Sequence, residues 1–136
     1  METQNLRTHL IWSAVLGLLC FLAFGFSLTY PGIYWDDWVT FFVSKEGLMR
    51  TYVTAGFPLT GYFHLSMREL GPIGYRFAVL ASSLAIALLF YATVVELKST
   101  SLKNARILSA LFLLAPLNTS RWTAINTPAM IFTLIF

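Results

Sequence analysis

Leu10-Ile11-Trp12-Ser13-Ala14-Val15-Leu16-Gly17-Leu18-Leu19-Cys20-Phe21-Leu22-Ala23-Phe24-Gly25-Phe26-Ser27-Leu28 runs without one charged side chain. A hydrocarbon core about 30 Å thick needs roughly 20 such residues in a helix. A helix apolar on every face must be enclosed by other apolar matter, and lipid is the simplest candidate. The preceding flank is short and polar (Thr3, Gln4, Asn5, Arg7), and Tyr30-Pro31-Gly32 follows without a small-residue cleavage pattern. The stretch is also longer than the roughly 7–15 apolar residues of a secretory signal. It reads as an uncleaved span.

Composition extends the same conclusion to the whole chain. Of its 136 residues, 57% are hydrophobic and 11% charged, with a mean hydropathy of +0.71. A water-soluble domain carries about 25% charged residues, so there is too little charge here to cover a water-facing surface. The expected class is all-α, a polytopic helical membrane protein with about four spans plus two interfacial helices between the first two. The net charge of +3 is scattered rather than clustered, which leaves no nucleic-acid footprint. Cys20, the one cysteine, has no intrachain partner and says nothing about redox compartment.

The spans are expected at about 10–28, 77–95, 107–118 and 122–136, with an outer segment at 29–75. Arg76 and Glu96 bound the second. The third is short for a crossing, and a re-entrant hairpin is the alternative there. The fourth begins at Trp122 and reaches Phe136; at ~1.5 Å per residue it covers about 22 Å of a roughly 30 Å core. The expectation is that residues 1–136 are the N-terminal part of a transmembrane domain whose remaining spans belong to a longer chain. Lys98, Lys103 and Arg106 crowd the short segment 96–106, and Arg7 lies in the N-terminal tail. By the excess of Lys and Arg in cytoplasmic loops, both are expected to be cytoplasmic. The segment 29–75 then faces a periplasm, the outside or a lumen.

Within that outer segment, residues 36–50 read as one helix. Trp38, Phe41, Phe42 and Leu48 or Met49 fall on one side, and the two acidic residues favour its N-terminus. Gly56-Phe57-Pro58 breaks the chain. A second helix follows to Leu70, with Leu59, Tyr62, Phe63, Met67 and Leu70 on one side, and Gly71-Pro72 ends it. Aromatic amphipathic helices beside membrane spans suggest elements lying in the interface plane; packing of a loop over the bundle is the other reading.

Asp36-Asp37 stands a few residues past the first span, bracketed by Trp35 and Trp38. Charge next to hydrocarbon is costly and usually functional. Neighbouring carboxylates repel, which raises the proton affinity of one and suits it to take a proton from a hydroxyl. Their oxygens also suit a divalent cation such as Mg or Mn. Alternatively, two aspartates simply cap an interfacial helix, and the dipeptide alone does not choose.

The arrangement as a whole resembles the GT-C superfamily of multi-spanning glycosyltransferases. The resemblance rests on a first span, then Tyr34-Trp35-Asp36-Asp37-Trp38, then interfacial helices, then Gly71-Pro72-Ile73-Gly74-Tyr75-Arg76 entering the second span. The stretches Ala105-Arg106-Ile107 and Ala115-Pro116-Leu117-Asn118 look like the family's third span. The resemblance covers the whole chain but only the first part of such an enzyme. It implies transfer of a sugar from a polyprenyl-phosphate-type lipid carrier to an acceptor at the outer face. Asp36 or Asp37 would be the general base, with a role for the pair in holding a metal. The leaving lipid phosphate would need cationic partners, for which Arg50, Arg68 and Arg76 are the outer-side candidates.

The remaining motifs carry less. His64, between Phe63 and Leu65 with no second histidine or cysteine near it, reads as a polar loop histidine rather than a proton carrier or metal ligand. Asn118-Thr119-Ser120 fits a glycosylation acceptor but abuts a membrane surface and reads as a chance match. Two other functions compete with the enzyme: a transporter fragment, and a small polytopic membrane protein without catalytic activity.

Overall fold

The computed structural model describes residues 2–29 and 38–115, and among these every element is helical. Two compact units divide them, one comprising residues up to Phe26 with those from Leu80 onward, the other Ser27–Val79. The acidic pair and the expected fourth span lie outside the described residues.

The first unit contains α1 (Glu2–Phe24), the later part of α5 (Gly71–Glu96) and α6 (Leu102–Leu114). Two stretches are long and apolar enough to cross a membrane, Leu6–Thr29 with 24 residues and Gly71–Glu96 with 26. The first continues from α1 through a 3-10 turn at Gly25–Thr29. The second helix begins at Gly71, not near residue 77 as expected. Proline suits the first turn of a helix, where its missing N–H costs nothing, so Gly71-Pro72 opens this helix rather than closing the one before it.

The third expected span is corrected too. Ser101 caps α6, its Oγ accepting from Asn104 N, so the helix starts five residues earlier than residue 107. It ends at Leu114. Ala115 is turned to ψ 122°, the conformation a residue preceding a proline is driven toward. The 13 residues of α6 cover about 20 Å, less than a hydrocarbon core.

Packing in this unit joins small and large side chains. Leu16, Cys20, Ala87, Tyr91, Ala105 and Leu113 form the core, flanked by Trp12, Leu84 and Leu88. Phe90 stacks on Phe112 with centroids 4.7 Å apart. Small residues such as Ala87, Ala105 and Ser109 are buried while Leu18, Phe21, Leu22, Leu89 and Leu111 point outward. Small buried residues let helix backbones approach closely, a packing mode common among helices that cross a membrane.

The second unit holds α2 (Trp38–Phe42), α3 (Lys45–Thr54), α4 (Pro58–Glu69) and the first turns of α5. The single helix expected over 36–50 is broken. Ser44 starts a new one by accepting from Gly47 N at 3.0 Å, a capping bond that the chain of α2 cannot make without ending. The α3–α4 turn is a Schellman closure: Phe57 N donates to Tyr52 O at 2.8 Å and Gly56 N to Val53 O at 3.0 Å. Gly56 sits at φ +84°, where a Cβ would be strained. Pro58 then opens α4.

Candidate functional site

The α3–α4 hairpin is closed at its open end by an exposed ion pair between Lys45 and Glu69. The hydrogen bond from Lys45, reinforced by its charge, holds the Glu69 carboxyl below its ordinary range. Arg68 Nη1 donates to the carbonyl of Val43 at the α2–α3 break. One guanidinium therefore ties the last turn of α4 to the corner where α3 begins.

Between α3, α4 and α5 lies a side-chain cluster centred on His64. This histidine is 0% exposed. Its ring stacks on Tyr52 with centroids 4.9 Å apart and a 21° interplanar angle, and Phe63 meets it edge-on. Phe41 and Phe63 each pack edge-to-face on Tyr75. The Tyr75 hydroxyl donates to the His64 carbonyl at 3.0 Å and lies 3.0 Å from His64 Nδ1.

A hydroxyl carries one proton, and here the carbonyl receives it. His64 Nδ1 must then carry a proton of its own and donate it to the tyrosine oxygen. Nε2 is left as a bare acceptor, enclosed and without a partner. The ring is neutral, because burial pushes its pKa down from 6.5 to about 4.

His64 is thus the heart of a packed corner, not the polar loop residue expected. The apolar side expected of α4 is divided: Leu59, Tyr62 and Leu70 are exposed, Phe63 and Met67 are half-buried, and Gly61 and His64 are buried. In α2, Phe42 likewise points out. The signal that could have identified His64 is its spacing from Gly61, three residues earlier on the same helix, with exposed Leu59 and Tyr62 on another side.

The residues expected to serve the reaction fare differently. Asp36 and Asp37 lie outside the described residues. Arg50 is exposed on α3. Arg68 is half-buried and committed to Val43. Arg76 is buried, next to Tyr75 on α5, and has interactions of its own. Among the described residues no three His, Cys, Asp or Glu side chains converge on a metal-sized site, so the Mg or Mn expectation rests on Asp36 and Asp37 alone. No family model, curated protein or solved structure matches the chain.

Proposed function

We propose that the chain forms the amino-terminal, membrane-embedded part of a glycosyltransferase that takes its sugar from a polyprenyl-phosphate-type carrier. The observation that supports this best is the order of elements along the chain. A membrane-length apolar helix is followed by Asp36-Asp37, then by short helices with exposed Phe42, Phe57, Leu59, Tyr62 and Leu70, then by buried Tyr75-Arg76 at the start of a second membrane-length helix. Helices with such outward faces suit the boundary where a lipid headgroup meets water. In this reading the chain is multi-pass, its N-terminus is cytoplasmic, and residues 29–75 face the opposite compartment.

The chemistry follows from the groups. One carboxylate of the pair takes the proton of the acceptor hydroxyl as that oxygen bonds to the anomeric carbon. The carbon–oxygen bond to the carrier breaks, and the lipid phosphate leaves with the electron pair. Exposed Arg50 is the freest of the three arginines to meet that developing charge, because Arg68 already serves a backbone carbonyl.

The test is sugar transfer in membranes carrying the protein, with radiolabelled polyprenyl-phosphate sugars as donors. Asp36→Asn, Asp37→Asn or the double substitution is expected to cut transfer by about 10²–10⁴-fold, the usual worth of general base catalysis, at unchanged protein level. Transfer at the parental rate in all three variants refutes the proposal.

A further inference from the structure

Within the first unit, the start of α1, the end of α5 and the start of α6 bring five polar or aromatic side chains together. His9 Nδ1 meets the Tyr91 hydroxyl at 2.9 Å, and the Tyr91 ring faces both His9 and Trp12, at 5.8 and 6.5 Å between centroids. The Trp12 indole N–H donates to Ser109 Oγ at 3.1 Å, and Ser109 donates onward to Arg106 O at 2.9 Å. Arg106 Cζ stands 6.0 Å from the centre of the Trp12 ring, at the outer edge of cation–π range.

These bonds use up the neutral donors and leave one charge unmatched. Arg106 is half-buried, its Nε is enclosed without an acceptor, and no acidic side chain among the described residues pairs with it. Arg7, Lys98 and Lys103, all exposed, add positive charge to this unit, against Glu2 and Glu96 as its acids. A Trp and a Tyr beside cations at one level of a membrane-spanning unit mark the headgroup zone. An unneutralised guanidinium there favours a doubly oxygenated anion that it can grip with two parallel N–H groups.

We infer that Arg106, backed by Trp12, forms a binding site for the phosphate of an anionic phospholipid at the end of the bundle that carries the amino terminus. The inference rests on the membrane reading above but not on sugar transfer. The Trp12 ring lies beside the guanidinium, and Trp12 in turn is held by Ser109. Arg7 and Lys103 supply a diffuse field that draws the anionic lipid in.

The experiment purifies the chain in neutral detergent and measures thermal stabilisation and lipid adducts by native mass spectrometry. The probes are dioleoylphosphatidylglycerol, dioleoylphosphatidylcholine and water-soluble sn-glycerol 3-phosphate. The phosphatidylglycerol is expected to bind in preference to phosphatidylcholine, and Arg106→Gln is expected to weaken it about fivefold, the worth of one cation near anionic lipid. Arg106→Lys, which keeps the charge but loses the fork, is expected to fall between the two, and Lys45→Gln in the other unit to change nothing. The site is overturned if folded Arg106→Gln keeps the parental lipid preference. The lipid assignment is overturned if glycerol phosphate alone gives the same Arg106-dependent stabilisation. Resistance of each variant to alkaline extraction from membranes checks the membrane reading separately.

Discussion

The Tyr75 hydroxyl and the His64 peptide close a reciprocal pair, the hydroxyl donating to the His64 carbonyl and accepting from His64 Nδ1, each at 3.0 Å. Two elements eleven residues apart in sequence are thus fastened by one oxygen. Replacing Tyr75 by Phe keeps the ring and its edge contacts with Phe41 and Phe63 but leaves the buried His64 Nδ1 proton without its acceptor. Such a group costs about 1–3 kcal/mol. Tyr75→Phe is expected to lower the thermal midpoint in detergent clearly, while Tyr62→Phe, at an exposed position, is expected to leave it unchanged.

The same pair sets a pH dependence with a definite sign. His64 has a folded-state pKa near 4 against 6.5 when free, so the native state refuses a proton that the unfolded chain accepts. Stability is then whole above about pH 6.5 and is lost as pH falls, by on the order of 3 kcal/mol once pH 4 is reached. The groups facing the ring are Tyr52 from α3 and Tyr75 from α5, neither charged in this range. The Glu69 carboxyl, held below its usual 4.5, adds losses only at lower pH. Unfolding followed between pH 6.5 and 5 therefore reports on His64, and His64→Phe is expected to flatten the slope there.

Much of the fold was legible because long uncharged apolar runs are a simple signal. The uncharged run from Leu10 to Leu28 and the apolar stretch before Glu96 needed only length and composition to be read as membrane-length helices. Where local capping chemistry competes with hydrophobic pattern, pattern lost: Ser44 split one expected helix into α2 and α3, and Ser101 with Pro116 moved both ends of α6. Pattern did not decide direction: Leu59 and Tyr62 follow helical spacing and face outward, while Phe63 turns toward His64. The candidate site was legible only as chemistry. Paired aspartates can be read from a dipeptide, whereas the clasp between His64 and Tyr75 depends on which faces of α4 and α5 meet, and no local spacing encodes that.

Gly56 tests the turn that brings α3 and α4 together. At φ +84° with open space around it, an alanine meets no neighbour but must adopt the left-handed conformation, which costs roughly 1–2 kcal/mol. Gly56→Ala is expected to destabilise by that amount without altering helix content, as circular dichroism during thermal denaturation can show. A larger loss, or none, would mean that the turn relaxes away from its Schellman geometry.

Orientation is the expectation on which the proposed chemistry depends. If residues 29–75 face away from the cytoplasm, Asp37→Cys or Tyr62→Cys in a Cys20→Ala background reacts with a membrane-impermeant maleimide in intact cells. Asn5→Cys and Lys103→Cys react only after permeabilisation. Removing the one native thiol, buried Cys20, leaves the engineered position as the sole site of reaction. Labelling of position 37 only together with position 5 would put the carboxylate pair in the compartment of the amino terminus. There it would stand beside the cations of the 96–106 segment and away from the surface at which an outer-face transfer must occur.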